Sequence, residues 1–220
     1  MSNRTYSPRV VYGTLLNDQA TLTRMAGTFT QAPYKALPVH PVLYIKPANT
    51  YAGPGAQVEI PADPGVVRID ATLGVVMARD ARRVSADEAM AYVGAYLIAS
   101  DITLPHDDLY RPPLLQRCRD GFCPMTPPLQ ASPGFKPDSA VIEISINKQP
   151  VHRRSLQDLH RSIAQLISDV SAYMTLAAGD VLLVGVPEGA PLARPGDHIR
   201  IDVAKLGSLE HELIAEGAAA

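Results

Sequence analysis

Cysteine is scarce in this chain: its 220 residues include two, Cys118 and Cys123, five positions apart with no His or Cys cluster beside them. Such spacing is poor material for a zinc site, and two reduced, partly buried thiols are expected instead. An excess of charge of one sign is also lacking. The 20 Lys+Arg residues against 22 Asp+Glu leave a formal charge of -2, which gives no electrostatic footprint for nucleic acid or anionic lipid. No run approaches about 18 consecutive apolar residues, and the opening MSNRTYSPRV has no apolar signal core. No membrane association and a cytoplasmic location are therefore expected. The 6 histidines show no HExxH or other zinc spacing, and no serine sits in a G-x-S-x-G elbow, which argues against a serine-nucleophile hydrolase. Repeats are absent as well.

What is present is an ordinary globular composition, 46% apolar and 19% charged, punctuated by 20 prolines and 15 glycines. That punctuation favours short strands over long helices. The stretch VVYGTLLNDQATLTRMAG reads as a strand and a short helix ending near Gly27, within a small N-terminal lobe expected over residues 1–66. A core domain over 67–220 follows. It opens with RIDATLGVVMA, a strand whose second half, Leu73 to Met77, is apolar enough to be buried on both faces. Ser85 and Glu88 make a capping-box pattern, which predicts a helix over about 87 to 97 with Met90, Val93 and Leu97 on one face. The proline-rich segment from 101 to 128 predicts a long ordered loop, the place to look for a site. VIEISIN alternates as a strand. Ser155 with Asp158 predicts the start of a second helix whose stripe is Leu159, Ile163, Leu166, Ile167 and Val170. The strand VLLVGV and a terminal hairpin of HIRIDVA and SLEHELI complete a β-rich α+β pattern with two main packing helices.

Four segments carry a resemblance to a known family: YIKPANT at 44–50, ARRVSADEAMAYVGAYLIASDITLP at 81–105, LYRPPLLQRCRDGFCP at 109–124 and MTLAAGDVLLVGVPEG at 174–189. From about Val10 onward the chain resembles the fumarylacetoacetate hydrolase family, most of all the metal-poor first half of its two-part members. The resemblance implies mixed sheets rolled into a sandwich or barrel. It also implies a divalent metal, Mg²⁺ or Mn²⁺, held by a Glu-x-Glu pair and an Asp, matched here by Asp70, Thr72 and Asp101. Residues i and i+2 of a strand share a face, which is why such a pair can grip one oxygen-loving cation. Thr72 brings a neutral hydroxyl where the family has a carboxylate, so a weak or absent metal is expected.

Other family positions differ in the same direction. A substrate-binding Arg is matched by Pro105, a substrate-orienting Lys by Arg117, the Thr of a G-T-P by Val186, and a lid His by Thr21. Lys46 and Arg117 are the candidate substrate-orienting residues, and Tyr110 and Arg111, with Arg119, could line a residual anion pocket. The competing reading is that these cations are salt-bridged scaffolding, with Asp107, Asp108 and Asp120 close in sequence.

For activity the resemblance implies a subunit of a 2-hydroxyhepta-2,4-diene-1,7-dioate isomerase and 5-oxopent-3-ene-1,2,5-tricarboxylate decarboxylase, whose metal would stabilise an enolate. A sister subunit would then supply the complete metal site. The alternatives are a stand-alone Mg²⁺- or Mn²⁺-dependent enzyme of the family, or a non-catalytic homo-oligomer that binds a dicarboxylate.

Overall fold

The computed structural model describes residues 6–106 and 111–218. Along the chain run β1 (Val11–Leu15), α1 (Gln19–Met25), β2 (Val42–Lys46), β3 (Tyr51–Ala52), β4 (Gln57–Ile60), β5 (Val67–Met77), α2 (Ala86–Ala89) and β6 (Val93–Thr103). Then follow α3 (Leu114–Arg117), β7 (Cys123–Pro124), β8 (Val141–Ile146), β9 (Gln149–Ser155), α4 (Ile163–Ser171), β10 (Val181–Leu183), β11 (Leu192–Ala193), β12 (His198–Val203) and β13 (Gly207–Ala215).

Period-two patterning in β5 organises the centre. Val67, Ile69, Leu73, Val75 and Met77 all enter the main core, so the intervening Arg68, Asp70 and Thr72 are turned to the opposite face. Antiparallel β6 pairs with β5 from Thr103 opposite Arg68 to Val93 opposite Met77, which fills one edge. Along the other edge lie β10 and, further on, β11. Beyond β10 come β1, parallel to it, and then β2. A second sheet has the order β4-β13-β12-β8-β9, with β4 parallel to β13.

The main core draws on both sheets. Ile142, Ile144, Ile199, Ile201 and Leu213 from the second meet the apolar face of β5, and α4 adds Ile163, Leu166, Ile167 and Val170. Among the described residues neither sheet closes on itself. The expected α+β, β-rich class is what forms, as layered sheets and not a closed barrel. The strands of residues 6–66 are built into both layers, β1 and β2 in the first and β4 in the second. Among the described residues no helix is long and apolar enough to cross a membrane.

Two helices differ from their sequence pattern. Helical backbone after Ser85 stops at Tyr92, and Leu97, expected on a helix, is a fully buried β6 residue. The spacing of Met90, Val93 and Leu97 fits a helix, but Val93 and every residue from Ala95 to Thr103 have a ladder partner on β5, with a bulge at Gly94, and tertiary pairing overrides the local preference. The Ser85 hydroxyl also does not cap: it lies 2.8 Å from Glu88 Oε2, bound to that carboxylate and not to a backbone N–H. Further along, Ser155 starts one 3-10 turn, and the helix proper begins at Ile163, where the Ser162 hydroxyl accepts from Gln165 N at 3.2 Å. Leu159 is therefore outside the helix. The remaining stripe is fully buried as expected.

His211 of β13 points into the same core, with Nε2 3.0 Å from Ser100 Oγ of β6. Burial first, and then His198, push its pKa down to about 3.

Two expectations follow from this packing. Truncation of Leu166 to Ala should cost about 2–5 kcal/mol in denaturant titrations, and a loss below about 0.5 kcal/mol would place that face in solvent. His211 stays neutral in the folded protein, whereas in the unfolded chain it takes up a proton below its ordinary value of 6.5. Its contribution to stability is thus complete above about pH 6.5 and is lost as pH falls toward 3, at up to about 1.4 kcal/mol per pH unit. The variant His211→Gln should flatten that acid slope, which unfolding titrations at successive pH values would measure.

Candidate functional site

The polar face of the first sheet is built by two neighbouring strands. Asp70 on β5 and Asp101 on β6 are direct cross-strand partners, and both are fully buried. Like charges placed opposite one another in a ladder repel, and burial raises the cost, so this pair requires a cation. Arg117, the last residue of α3, provides one. Its Nη2 lies 2.7 Å from Asp70 Oδ2 and its Nη1 lies 2.9 Å from Asp101 Oδ2, so one guanidinium spans both carboxylates. The Arg117 side chain is itself 1% exposed.

The other carboxylate oxygens are also met by cations. Lys46 Nζ, at the end of β2, is 2.9 Å from Asp101 Oδ1, and Arg68 Nε is 2.9 Å from Asp70 Oδ1. Lys46 further donates to the carbonyls of Arg117 at 2.5 Å and Phe122 at 2.9 Å, which ties β2 to the segment after β6. Tyr44 covers the cluster. Its ring centroid is 5.0 Å from Arg117 Cζ, and its hydroxyl donates to Asp101 Oδ2. Gly13, opposite Tyr44 on β1, permits this: a Cβ there would come within 2.0 Å of the tyrosine ring.

Electrostatics follow from these contacts. Burial pushes the Asp101 carboxyl up, but Lys46 and Arg117 together outweigh it and hold the group below the usual carboxylate range. Burial, then Asp101, pushes the Tyr44 phenol well above its ordinary value, so the hydroxyl remains a neutral donor. Burial works against the charge of Arg117, and Asp101, Tyr44 and Asp70 more than restore it. Asp101 is thus a poor proton acceptor.

Thr72 shares the face of Asp70 but turns away from the carboxylates, its hydroxyl donating to Gly185 O at 2.8 Å. Arg154 Nη1 donates to that same carbonyl at 2.8 Å, and Arg154 also pairs with Asp18, which caps α1. Gly185 is required here, with φ at 142° and the Asn17 Cβ 3.2 Å from where its own Cβ would sit. The turn it begins leads through Val186 and Pro187 to Glu188. That residue accepts from Thr21 Oγ1 at 3.0 Å and Arg24 Nε at 2.7 Å on α1. Between α1, this turn and the ionic cluster lies a cavity of about 470 Å³, with Arg24, Arg68 and Arg117 on its wall.

The expected site residues are therefore partly assembled. Asp70, Asp101, Arg117 and Lys46 form one cluster, and Thr72 lies beside it facing Gly185. Arg111 is exposed, and lines a separate cavity of about 370 Å³ with Tyr44, Ile45, Pro113, Leu114 and Arg117. Arg119 lines another, with Glu59, Asp120 and Glu216, away from Asp101. Tyr110, Asp107 and Asp108 lie outside the described residues. Arg68, Tyr44, Arg154 and Glu188 were not anticipated. Arg68 and Tyr44 had a sequence signal, each lying two residues before a candidate, Asp70 or Lys46, on one strand.

A divalent ion fits this arrangement badly. Hard cations need free carboxylate oxygens among their six or more oxygen ligands, whereas here two carboxylates have all four oxygens opposed by Lys or Arg nitrogens and the neighbouring Thr72 offers a committed hydroxyl. Among the described residues no group of three or more His, Cys, Asp or Glu converges to hold a metal.

Comparison with known proteins gives one consistent relationship. Residues 10–214 match the family described as fumarylacetoacetate (FAA) hydrolase C-terminal. The 4-hydroxyphenylacetate degradation bifunctional isomerase/decarboxylase of Escherichia coli is 34% identical over 206 residues, 94% of this chain and 47% of the relative. The chain thus spans about half the length of that protein. A 5-carboxymethyl-2-hydroxymuconate delta-isomerase from Mycobacterium smegmatis superposes with a TM-score of 0.78 at 27% identity, over 96% of this chain and 80% of the other. The fumarylpyruvate hydrolase from Pseudomonas aeruginosa, solved with Mn²⁺ and pyruvate, shares the fold with a TM-score of 0.79 at 22% identity, over 98% and 93% of the two chains.

The ionic cluster makes a direct expectation. Lys46→Met leaves Asp101 with Arg117 as its one cation and removes the donor to two buried carbonyls, and should cost about 1–3 kcal/mol, the range for a buried polar group left unpaired. Equilibrium unfolding measures this, and a loss under about 1 kcal/mol would mean that Asp101 is solvated or protonated in the folded protein.

Proposed function

The chain belongs to the fumarylacetoacetate hydrolase family, and from that premise we propose that it is the architectural subunit of a 2-hydroxyhepta-2,4-diene-1,7-dioate isomerase and 5-oxopent-3-ene-1,2,5-tricarboxylate decarboxylase of aromatic catabolism. A sister chain with an intact Glu-x-Glu and Asp supplies the metal site. The observation that carries this reading is the guanidinium of Arg117 between Asp70 and Asp101, where the family's metal chemistry needs unpaired carboxylates. Its support from the comparisons is that the Escherichia coli relative is about twice the length matched, which leaves room for a second half.

In this reading Lys46 and Arg117 act on the protein and not on substrate. Each of the strong contacts of Lys46 is internal, to Asp101 and to two carbonyls. No proton-transfer role falls to Asp101, which is held ionised and engaged. The metal belongs to the sister chain, where Mg²⁺ or Mn²⁺ would polarise the oxo-acid and stabilise enolate charge.

One feature favours a second role. The cavity beside the cluster has Arg68 and Arg24 on its wall, which suits a small dicarboxylate, so a homo-oligomeric, non-catalytic binding protein is the alternative.

Affinity purification of this chain from its native cells should bring down a sister chain bearing the complete carboxylate triad. The isolated chain with Mg²⁺ or Mn²⁺ should show no dienoate isomerase or tricarboxylate decarboxylase turnover, and the reconstituted pair should show both. Substantial metal-dependent turnover by the isolated chain would overturn the architectural reading in favour of a stand-alone enzyme.

A further inference from the structure

We infer that Arg117 is a covalently tethered replacement for the divalent cation, and that its guanidinium, more than the loss of a carboxylate at Thr72, is what keeps metal out of the pocket. The inference concerns this chain alone and is independent of whether a sister subunit exists.

Three observations lead to it. First, Asp70 and Asp101 are buried cross-strand partners, a costly arrangement that a cation between them stabilises while both stay ionised. Second, the two guanidinium nitrogens each take the Oδ2 of a different carboxylate, at 2.7 and 2.9 Å, so the positive centre lies between the oxygens that a bridging ion would share. Third, Arg117 is fixed from other directions. Its backbone carbonyl accepts from Lys46 Nζ at 2.5 Å, its backbone N–H bonds to Pro113 O at 2.9 Å, and the Tyr44 ring covers its Cζ at 5.0 Å.

A divalent ion would have to displace this guanidinium into the adjoining cavity, breaking two charge-assisted hydrogen bonds before making any metal–oxygen bond. Restoring carboxylates without removing Arg117 does not change that competition. Asp70→Glu with Thr72→Glu adds negative charge beside a cation already seated, so the guanidinium is held more firmly. Taking Arg117 away frees Asp70 Oδ2 and leaves Asp101 Oδ2 with the neutral Tyr44 hydroxyl alone.

The test is a Mn²⁺ titration followed by electron paramagnetic resonance of the free ion, on the wild type, Arg117→Met, the Asp70→Glu/Thr72→Glu double variant and the triple variant. Metal-free melting curves check that each is folded. The expected order is negligible uptake by the wild type and double variant, one site in Arg117→Met, and the tightest binding in the triple variant, at least about tenfold stronger than in the double variant. Binding to the wild type as tight as to Arg117→Met, or equal affinity of the folded double and triple variants, would overturn the inference.

Should the variants lacking Arg117 not fold, the Asp70→Glu/Thr72→Glu double variant decides. Its melting temperature should be the same in Mn²⁺ and in chelator, and a rise of more than about 2 °C with Mn²⁺ would show that the ion competes successfully with Arg117.

Discussion

Two carboxylates facing each other in a dry interior set the terms for everything around them. Asp70 and Asp101 lie opposite on adjacent strands, fully buried, and the fold tolerates them because positive charge reaches them from three parts of the chain: β2, β5 and α3. The position of α3, the covering ring of Tyr44 and the absence of a side chain at Gly13 are all conditions for that neutralisation. A polar cluster of this kind can cost more in desolvation than it returns in attraction, so its net stabilisation is modest. Its specificity is larger. With each carboxylate oxygen opposed by a cation, few other placements of the segment after β6 would leave these charges paired.

The family resemblance and the ionic cluster describe the same residues from opposite sides. In the family, a strand pair presents acidic side chains to a mobile ion. Here β5 and β6 present Asp70 and Asp101 to a side chain that cannot dissociate. The neighbouring changes agree with this: Thr72 serves Gly185, and the turn that follows is fastened to α1 through Glu188 and to Arg154 through the Gly185 carbonyl. The carboxylate oxygens are thus committed internally beside an open cavity.

Much of the fold was legible in the sequence, for identifiable reasons. The RIDATLGVVM strand combines a long apolar run with polar residues in alternate positions, and both the core and the site follow from that alternation. The terminal hairpin was marked by its turn residues. Val93 to Leu97 was misread because residues spaced for a helix are equally buried in a central strand, and pairing partners are invisible to a local pattern. Ser155 and Ser162 both precede polar residues at capping distance, so the later start of α4 could not be chosen from spacing. For the site, strand periodicity placed Asp70 beside Thr72, and the resemblance selected Asp101 and Arg117. Their mutual contact was not readable. It depends on how a proline-rich segment returns sixteen residues after Asp101, which no periodicity encodes.

Both sheets also depend on parallel pairings between distant parts of the chain. Val11 lies beside Val181 in one, and Gln57 beside Glu212 in the other. During synthesis, β1 and β4 leave the ribosome with no partner for those edges, and more than a hundred residues must emerge before either can be matched. Topologies of this kind form slowly and expose strand edges while they wait. The strands β1 and β4 are thus made well before the residues that complete their pairing, and their edges stay open for that interval.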